Sequence, residues 1–253
     1  MSRLGIYASQ ISGHLAPTPP VATPSLWLDA SDAASFTYSS GSVISSWKDL
    51  SGNNRNFTQS TVASQPTRVT NVINSLPAVR FDGVNDSLGT SDWLASNRTY
   101  FWVFRTPSSI AGGGSGSIAL LAGANSFPLM VFGLGAQTGS ISGEVISILG
   151  VSTGGAQIRG RYTTSTISAG NYQMNVTTDS SYASALRFNK TATSTSVSPN
   201  GDLNSQTYPG YVAYTAGNDG LTWDAGEILI YDRVLSGSEI TTVESYFTTK
   251  WGV

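Results

Sequence analysis

The sequence contains no cysteine and one histidine, His14. Without thiols there is no disulfide framework, and composition leaves the redox compartment open. Thiolate nucleophiles and Cys-ligated zinc are excluded. A Ser-His-Asp arrangement would need His14, close to the N-terminus, within hydrogen-bond reach of a distant serine. Charge is scarce too, at 11% of residues against roughly 25% in ordinary soluble domains. A net charge of −2 gives no basic footprint for nucleic acid or anionic lipid. No run approaches the ~20 apolar residues that span a bilayer, so membrane insertion is not expected. The first fifteen residues lack the apolar stretch of a secretory signal. A surface location would then be reached by another route.

What fills the gap is Gly, Ser, Thr and Asn beside 40% hydrophobic and 10% aromatic residues, a composition too apolar for a disordered chain. Short apolar stretches recur between turn signals: SLWLDA, SVISSW, PAVRFDG, TYFWVFRT, SIALLAG, PLMVFGLG, EVISILG, YQMNVTT, YVAYTAG and GEILIYDR. Each has strand length and is rich in β-branched or aromatic residues. In TYFWVFRT, Phe101 and Val103 face one way and Trp102 and Phe104 the other. Apolarity on both faces requires cover on both faces. Many strands and few helices predict an all-β sandwich or jelly roll.

The chain ends differently. Ser236 and Glu239 form an S-x-x-E capping box, so a helix is predicted to start near Gly237. Ile240, Val243 and Phe247 share one face of it. Lys250 falls where the helix dipole favours a cation. A lone helix of this length is marginal in water and must pack on the sandwich, with Trp251 covering an edge. At the other end, residues 16–25 hold four of the ten prolines and predict an extended linker. The arm before it, residues 1–15, carries Leu4, Ile6, Tyr7, Ile11 and Leu15, too few for a core. It reads as a docking peptide that orders on a partner, leaving residues 26–253 as one domain.

The run GEILIYDRVLSGSEITTVESYFTTKWGV resembles the closing strand and L-S-x-x-E-I helix of concanavalin A-like jelly-roll domains of the laminin-G-like type. SLWLDASD, ISSWKDLSGNNRNFTQ and LPAVRFDGVNDSL resemble the opening strand, the W-x-D-x-S-G-N-x-N stretch and the V-x-F-D-G-x-x-D strand end of that family. The resemblance implies a concanavalin A-like jelly-roll β-sandwich with a short C-terminal helix. It leaves the ligand open, because the family includes lectins, hydrolase accessory modules and virion proteins. The arm LGIYASQISGHL is similar to N-terminal stretches of structural proteins of tailed bacteriophages. That implies a capsid-decoration or tail component of a virion, docked through the arm to other virion proteins and present as a homo-oligomer in the particle. The competing class is a bacterial carbohydrate-binding or hydrolase-associated module.

Chemistry has few candidates. Glycoside hydrolysis needs two carboxylates flanking the bond, and the E-x-D-x-x-E signature that the related β-glucanases carry is absent. Only Glu144, Glu227, Glu239 and Glu244 are glutamates, and Glu239 is assigned to capping. Glu227 and Asp232 fall on opposite faces of a regular strand. Enzymatic activity is not expected, and Glu227 is given no proton-transfer role. Calcium could use Asp82, Asn85 and Asp86 in FDGVNDS, or Asp219 and Asp224 in GNDGLTWDAGE. The simpler reading makes these turn residues bonded to their own backbone. Cell-surface glycans would stack on exposed aromatics, for which Trp93, Tyr208, Tyr211, Tyr214 and Trp223 are the candidates.

Overall fold

Strands dominate the structure, a computed structural model, as the β-branched and aromatic runs require. It describes residues 18–93, 98–111, 117–123, 130–135, 144–151, 157–163, 166–178, 184–192, 195–196, 208–212 and 221–253. In chain order the strands are β1 (Leu26–Asp29), β2 (Phe36–Ser40), β3 (Val43–Trp47), β4 (Phe57–Thr58), β5 (Thr67–Ile73), β6 (Leu76–Phe81), β7 (Leu88–Trp93) and β8 (Arg98–Thr106). Then follow β9 (Ile110–Ala111), β10 (Ser117–Gly123), β11 (Met130–Gly135), β12 (Glu144–Val151), β13 (Gln157–Thr163) and β14 (Thr166–Ile167). The last are β15 (Gly170–Thr178), β16 (Ser184–Phe188), β17 (Thr191–Ala192), β18 (Thr195–Ser196), β19 (Tyr208–Val212) and β20 (Trp223–Tyr231). One helix, α1 (Gly237–Trp251), closes the chain. The architecture is the expected all-β sandwich.

One layer runs β1–β20–β8–β15–β16, antiparallel throughout. The other runs β4–β7–β19–β10–β11–β12–β13. Register explains the two-sided apolarity of the first layer. Leu28, Ile228, Trp102, Met174 and Phe188 form one cross-strand row, and Leu26, Ile230, Tyr100, Val176 and Leu186 form the next. All ten are buried and face the sandwich interior. On the opposite face lie Asp29, Glu227, Val103 and Gln173 in one row, and Trp27, Leu229, Phe101, Asn175 and Arg187 in the other. Helix α1 covers that outer face, with Phe247 edge-on to Phe101.

The helix starts at Gly237 with both halves of the capping box formed. Val243 and Phe247 are buried as predicted, while Ile240 is only half-buried. Two expectations need correction. Trp251 does not cover an edge; it is fully buried, because its indole N–H reaches a carboxylate inside. Lys250 does more than complement the dipole, for its ammonium turns down onto the sheet. Gly252 takes the left-handed conformation that ends the helix (φ 71°). The Asn74 side-chain amide, in the β5–β6 turn, donates to the Lys250 carbonyl there.

The arm, residues 1–15, lies outside the described residues. From Thr18 onward the proline segment lies against the sandwich rather than projecting as a spacer. Val21 packs on the core and its carbonyl accepts the Tyr231 hydroxyl, while Ser25 N–H donates to the Ile230 carbonyl. Apolar burial and backbone pairing outweigh the intrinsic extension of prolines here. No helix among the described residues is long and apolar enough to cross a membrane.

Candidate functional site

A carboxylate inside a strand of apolar neighbours must find partners or neutralise. Glu227 is that residue: β20 is buried at all nine positions, and Glu227 points to the face under α1. Its Oε1 accepts from Trp27 Nε1 at 2.7 Å and from the Tyr246 hydroxyl at 2.9 Å. Its Oε2 accepts from Trp251 Nε1 at 2.6 Å and from Lys250 Nζ at 2.7 Å. The same ammonium lies 2.6 Å from Asp29 Oδ2, because Asp29 is the register partner of Glu227 across β1–β20. Asp29 Oδ1 accepts in turn from the Ser31 amide and hydroxyl. Burial pushes the Glu227 carboxyl above the usual carboxylate range, and the charge of Asp29 pushes it further, against the pull of Lys250 and Trp251. The Tyr246 phenol is raised as well, by burial first and then by Glu227.

This cluster opens on one side. A cleft of about 670 Å³ is floored by Asp29, Tyr246 and Lys250, and walled by Ser31, Asp32, Ala33 and Ala34, with Thr18 at its rim. Asp32 caps the short 3-10 turn Ala33–Ser35 by accepting from Ala34 N–H, which fixes the wall. The cleft therefore combines two carboxylates, an ammonium and a phenol ring on rigid elements.

The residues singled out from sequence divide sharply. Trp223 is buried and stacked on Phe81 at 4.9 Å, so it is core and no stacking platform for a sugar. Trp93 and Tyr208 are register partners on β7 and β19, and Tyr211 pairs with Gly89 and Ala122; their side chains lie outside the described residues. Tyr214 and Asp219 do as well. Asp224 is no calcium ligand candidate: it is fully buried and carries Arg80 bidentately, at 2.7 and 3.1 Å, with Arg105 at 3.2 Å. Two guanidiniums take the place that a cation would need. Asp82 Oδ1 accepts from the amides of Val84, Asn85 and Asp86, and Asp86 Oδ2 accepts from the Asp82 amide. That is turn chemistry. Gly83 within it has φ 77° and lies so close to the Leu221 backbone that a Cβ would come within 2.5 Å. Among the described residues no group of three acidic or imidazole side chains is arranged to hold a metal.

The W-x-D-x-S-G-N stretch is likewise structural. Asp49 accepts from the amides of Trp27, Ser51 and Arg55, tying β1 to its loop. The site residues that sequence reasoning passed over are Asp29, Tyr246 and Lys250. One signal was available: Glu227 is the sole charge in AGEILIY, which calls for a cation nearby.

No family model and no curated protein sequence matches this chain. Solved structures do. The binding domain of Paraclostridial mosquitocidal protein 1 superposes with a TM-score of 0.59 at 17% identity, over 83% of this chain and 52% of that one. The botulinum neurotoxin serotype D ligand-binding domain in complex with N-acetylneuraminic acid gives 0.58 at 10%, over 88% of this chain and 51% of that one. Trypanosoma rangeli sialidase in complex with sialic acid gives 0.53 at 15%, over 93% of this chain and 34% of that one. The chain thus spans about half the length of the toxin domains and a third of the sialidase. At these identities the likeness establishes the β-sandwich fold.

Proposed function

We propose that the chain is a non-catalytic glycan-binding module, with the Asp29–Lys250 cleft as its sugar site, carried on a virion surface by the N-terminal arm. The observation that carries the glycan reading is the cleft itself. Asp32 and the backbone of the 3-10 turn face the Tyr246 ring there across the polar Asp29–Lys250 floor, a mixture of polar groups and ring surface that suits a polyol. The likeness to a toxin domain holding N-acetylneuraminic acid supports it. The non-catalytic part rests on saturation. Each Glu227 oxygen already accepts from at least two donors, Asp224 is held by two arginines, and Glu244 by Arg187 and Asn175. A glycosidase acid or nucleophile must present a lone pair or proton to the sugar, and none of these three carboxylates lines the cleft.

The test is Ala34→Trp, which fills the cleft from an exposed wall position at little expense to the fold. On a glycan array the wild type should retain sialylated or other acidic glycans, and the variant should lose at least tenfold in binding at unchanged melting temperature. Equal binding by both would remove the cleft from the reading. For the virion part, deletion of residues 1–15 should leave a folded sandwich that no longer joins particles. Assembly at normal copy number without the arm would favour the free carbohydrate-binding or hydrolase-associated module instead.

A further inference from the structure

The Asp29–Glu227–Lys250 cluster has the parts of a condensation site, and we infer that Lys250 and Asp29 join as an intramolecular amide that staples the C-terminal helix to the first strand. The linkage would replace the Lys250 ammonium and the Asp29 carboxylate on the cleft floor by an amide, and it leaves Asp32 and the Tyr246 ring of the proposed sugar site unchanged. Three geometric features carry it. Lys250 Nζ lies 2.6 Å from Asp29 Oδ2 and 2.7 Å from Glu227 Oε2, so one amine bridges the carboxyl it would join and a second carboxylate that can take its proton. The two oxygens of Asp29 are differentiated: Oδ1 is held at 2.9 and 2.7 Å by the Ser31 amide and hydroxyl, whereas Oδ2 faces the amine. Finally, the three groups are largely buried, with side-chain exposures of 4% for Asp29, 0% for Glu227 and 18% for Lys250, among the rings of Trp27, Trp251 and Tyr246.

The chemistry balances without a further reagent. The Lys250 ammonium gives a proton to Glu227 Oε2, which passes it to Asp29 Oδ2, leaving a neutral amine beside a neutral acid. The nitrogen lone pair adds to Asp29 Cγ while the carbonyl electron pair moves onto Oδ1, where the two Ser31 donors stabilise the developing oxyanion. A second nitrogen proton travels by Glu227 to Oδ2. The Cγ–Oδ2 bond then breaks, water leaves, and the Oδ1 pair restores the carbonyl. An ammonium and a carboxylate have become an amide and one water, and Glu227 ends as it began. Burial, which favours neutral over charged forms of Glu227, favours its role as carrier. Holding the reactants in one site supplies the orientation that a bimolecular condensation lacks.

Denaturing mass spectrometry of the folded full-length chain decides it. The wild type should be lighter than its sequence by one water. Trypsin should fail to cut after Lys250 and should yield a branched peptide joining the segments around Asp29 and Lys250. Asp29→Asn should converge on the same product by losing ammonia instead, and Glu227→Gln should leave the chain mostly unlinked. A folded wild type at full mass would overturn the inference without reference to any variant. So would a water lost as a succinimide at Asp82–Gly83, which leaves Lys250 cleavable.

Discussion

The two faces of the sheet β1–β20–β8–β15–β16 solve the same problem by opposite means. The inner face is apolar along its central rows, from Leu28 through Ile228, Trp102 and Met174 to Phe188. The outer face mixes Phe101, Val103 and Leu229 with Asp29, Glu227, Gln173, Asn175 and Arg187, and a single helix must satisfy all of them. It does so residue by residue. Phe247 and Val243 go to the apolar patch, Lys250, Tyr246 and Trp251 to Glu227, and Glu244 to Asn175 and Arg187. The inner face is non-directional, and any well-packed layer of the right volume covers it. The outer face accepts one helix in one register. The difference teaches that α1 is specified here by polar pairing rather than by hydrophobicity.

The largest expected effect follows from removing that cover. Truncation after Leu235 exposes Phe101, Val103 and Leu229 and deprives Glu227 of three of its four donor groups. Val243, Phe247 and Trp251 are all fully buried, worth about 1.5–3 kcal/mol each, a sum comparable with a domain's whole stability. The 1–235 fragment should give no cooperative melt and should collect in the insoluble fraction. A soluble, cooperatively melting fragment would mean that the outer face is satisfied without the helix.

Next is a pair that separates polar from apolar cover. Arg187→Met leaves Glu244, whose side chain is 3% exposed, with Asn175 but no cation, and should cost about 3 kcal/mol in denaturant melts. Adding Glu244→Leu should recover most of that loss, since a buried pair and an apolar pair of similar volume are often equivalent. Additive losses in the double variant would deny the coupling. Gly226→Ala then probes how closely the helix sits. A Cβ there would come within 3.0 Å of Val103 Cγ1 and 3.2 Å of the Trp251 ring. Overpacking of that kind costs about 1–3 kcal/mol, and a neutral result would show slack under α1. Ser236→Ala removes the side-chain half of the capping box at about 1 kcal/mol, read by thermal denaturation. Glu239, held down at about 2 by Arg233 and Ser236, keeps the other half charged across the useful pH range.

Local signals were legible in the sequence. The capping box placed the helix start correctly, and β-branched and aromatic runs marked β1, β3, β6, β8, β10, β11, β12, β15 and β20. Strands such as FTYSS (β2) and TRVTNVI (β5) were not marked, because their Ser, Thr and Asn face solvent and resemble loop composition. The β5–β6 turn at Asn74 and Ser75, both with positive φ, was visible only as an ordinary polar pair. What escaped altogether was pairing at long range. Asp224 sits in a loop-like composition, yet register places it between Arg80 and Arg105. Trp223 looked like an exposed platform until Phe81 arrived across the sheet. The candidate site depends on Asp29 and Lys250, which are 221 positions apart. No window of sequence contains both.

Asp86 sharpens the comparison as a buried carboxylate with no ion-pair partner among the described residues. Its Oδ2 accepts the Asp82 amide, but burial is the larger influence, and the neighbouring Asp82 charge adds to it, so its carboxyl is pushed up to about 6 from an ordinary 3.8. The shift has the same direction as that of Glu227 under α1, where burial also outweighs the pull of Lys250. A group raised in the folded state stabilises the fold when protonated, an effect fully present below the ordinary value and lost as pH rises through about 6. Lowering pH from about 7 to about 5 should therefore raise the wild-type melting temperature by a few degrees through this residue. Asp86→Asn keeps an acceptor for the Asp82 amide and cannot titrate, while every other ionisable group remains. The difference between the two melting curves isolates Asp86, and it should narrow as pH falls. Parallel curves would mean that the loop screens this carboxyl, and that burial at the rim does not perturb it as burial under α1 perturbs Glu227.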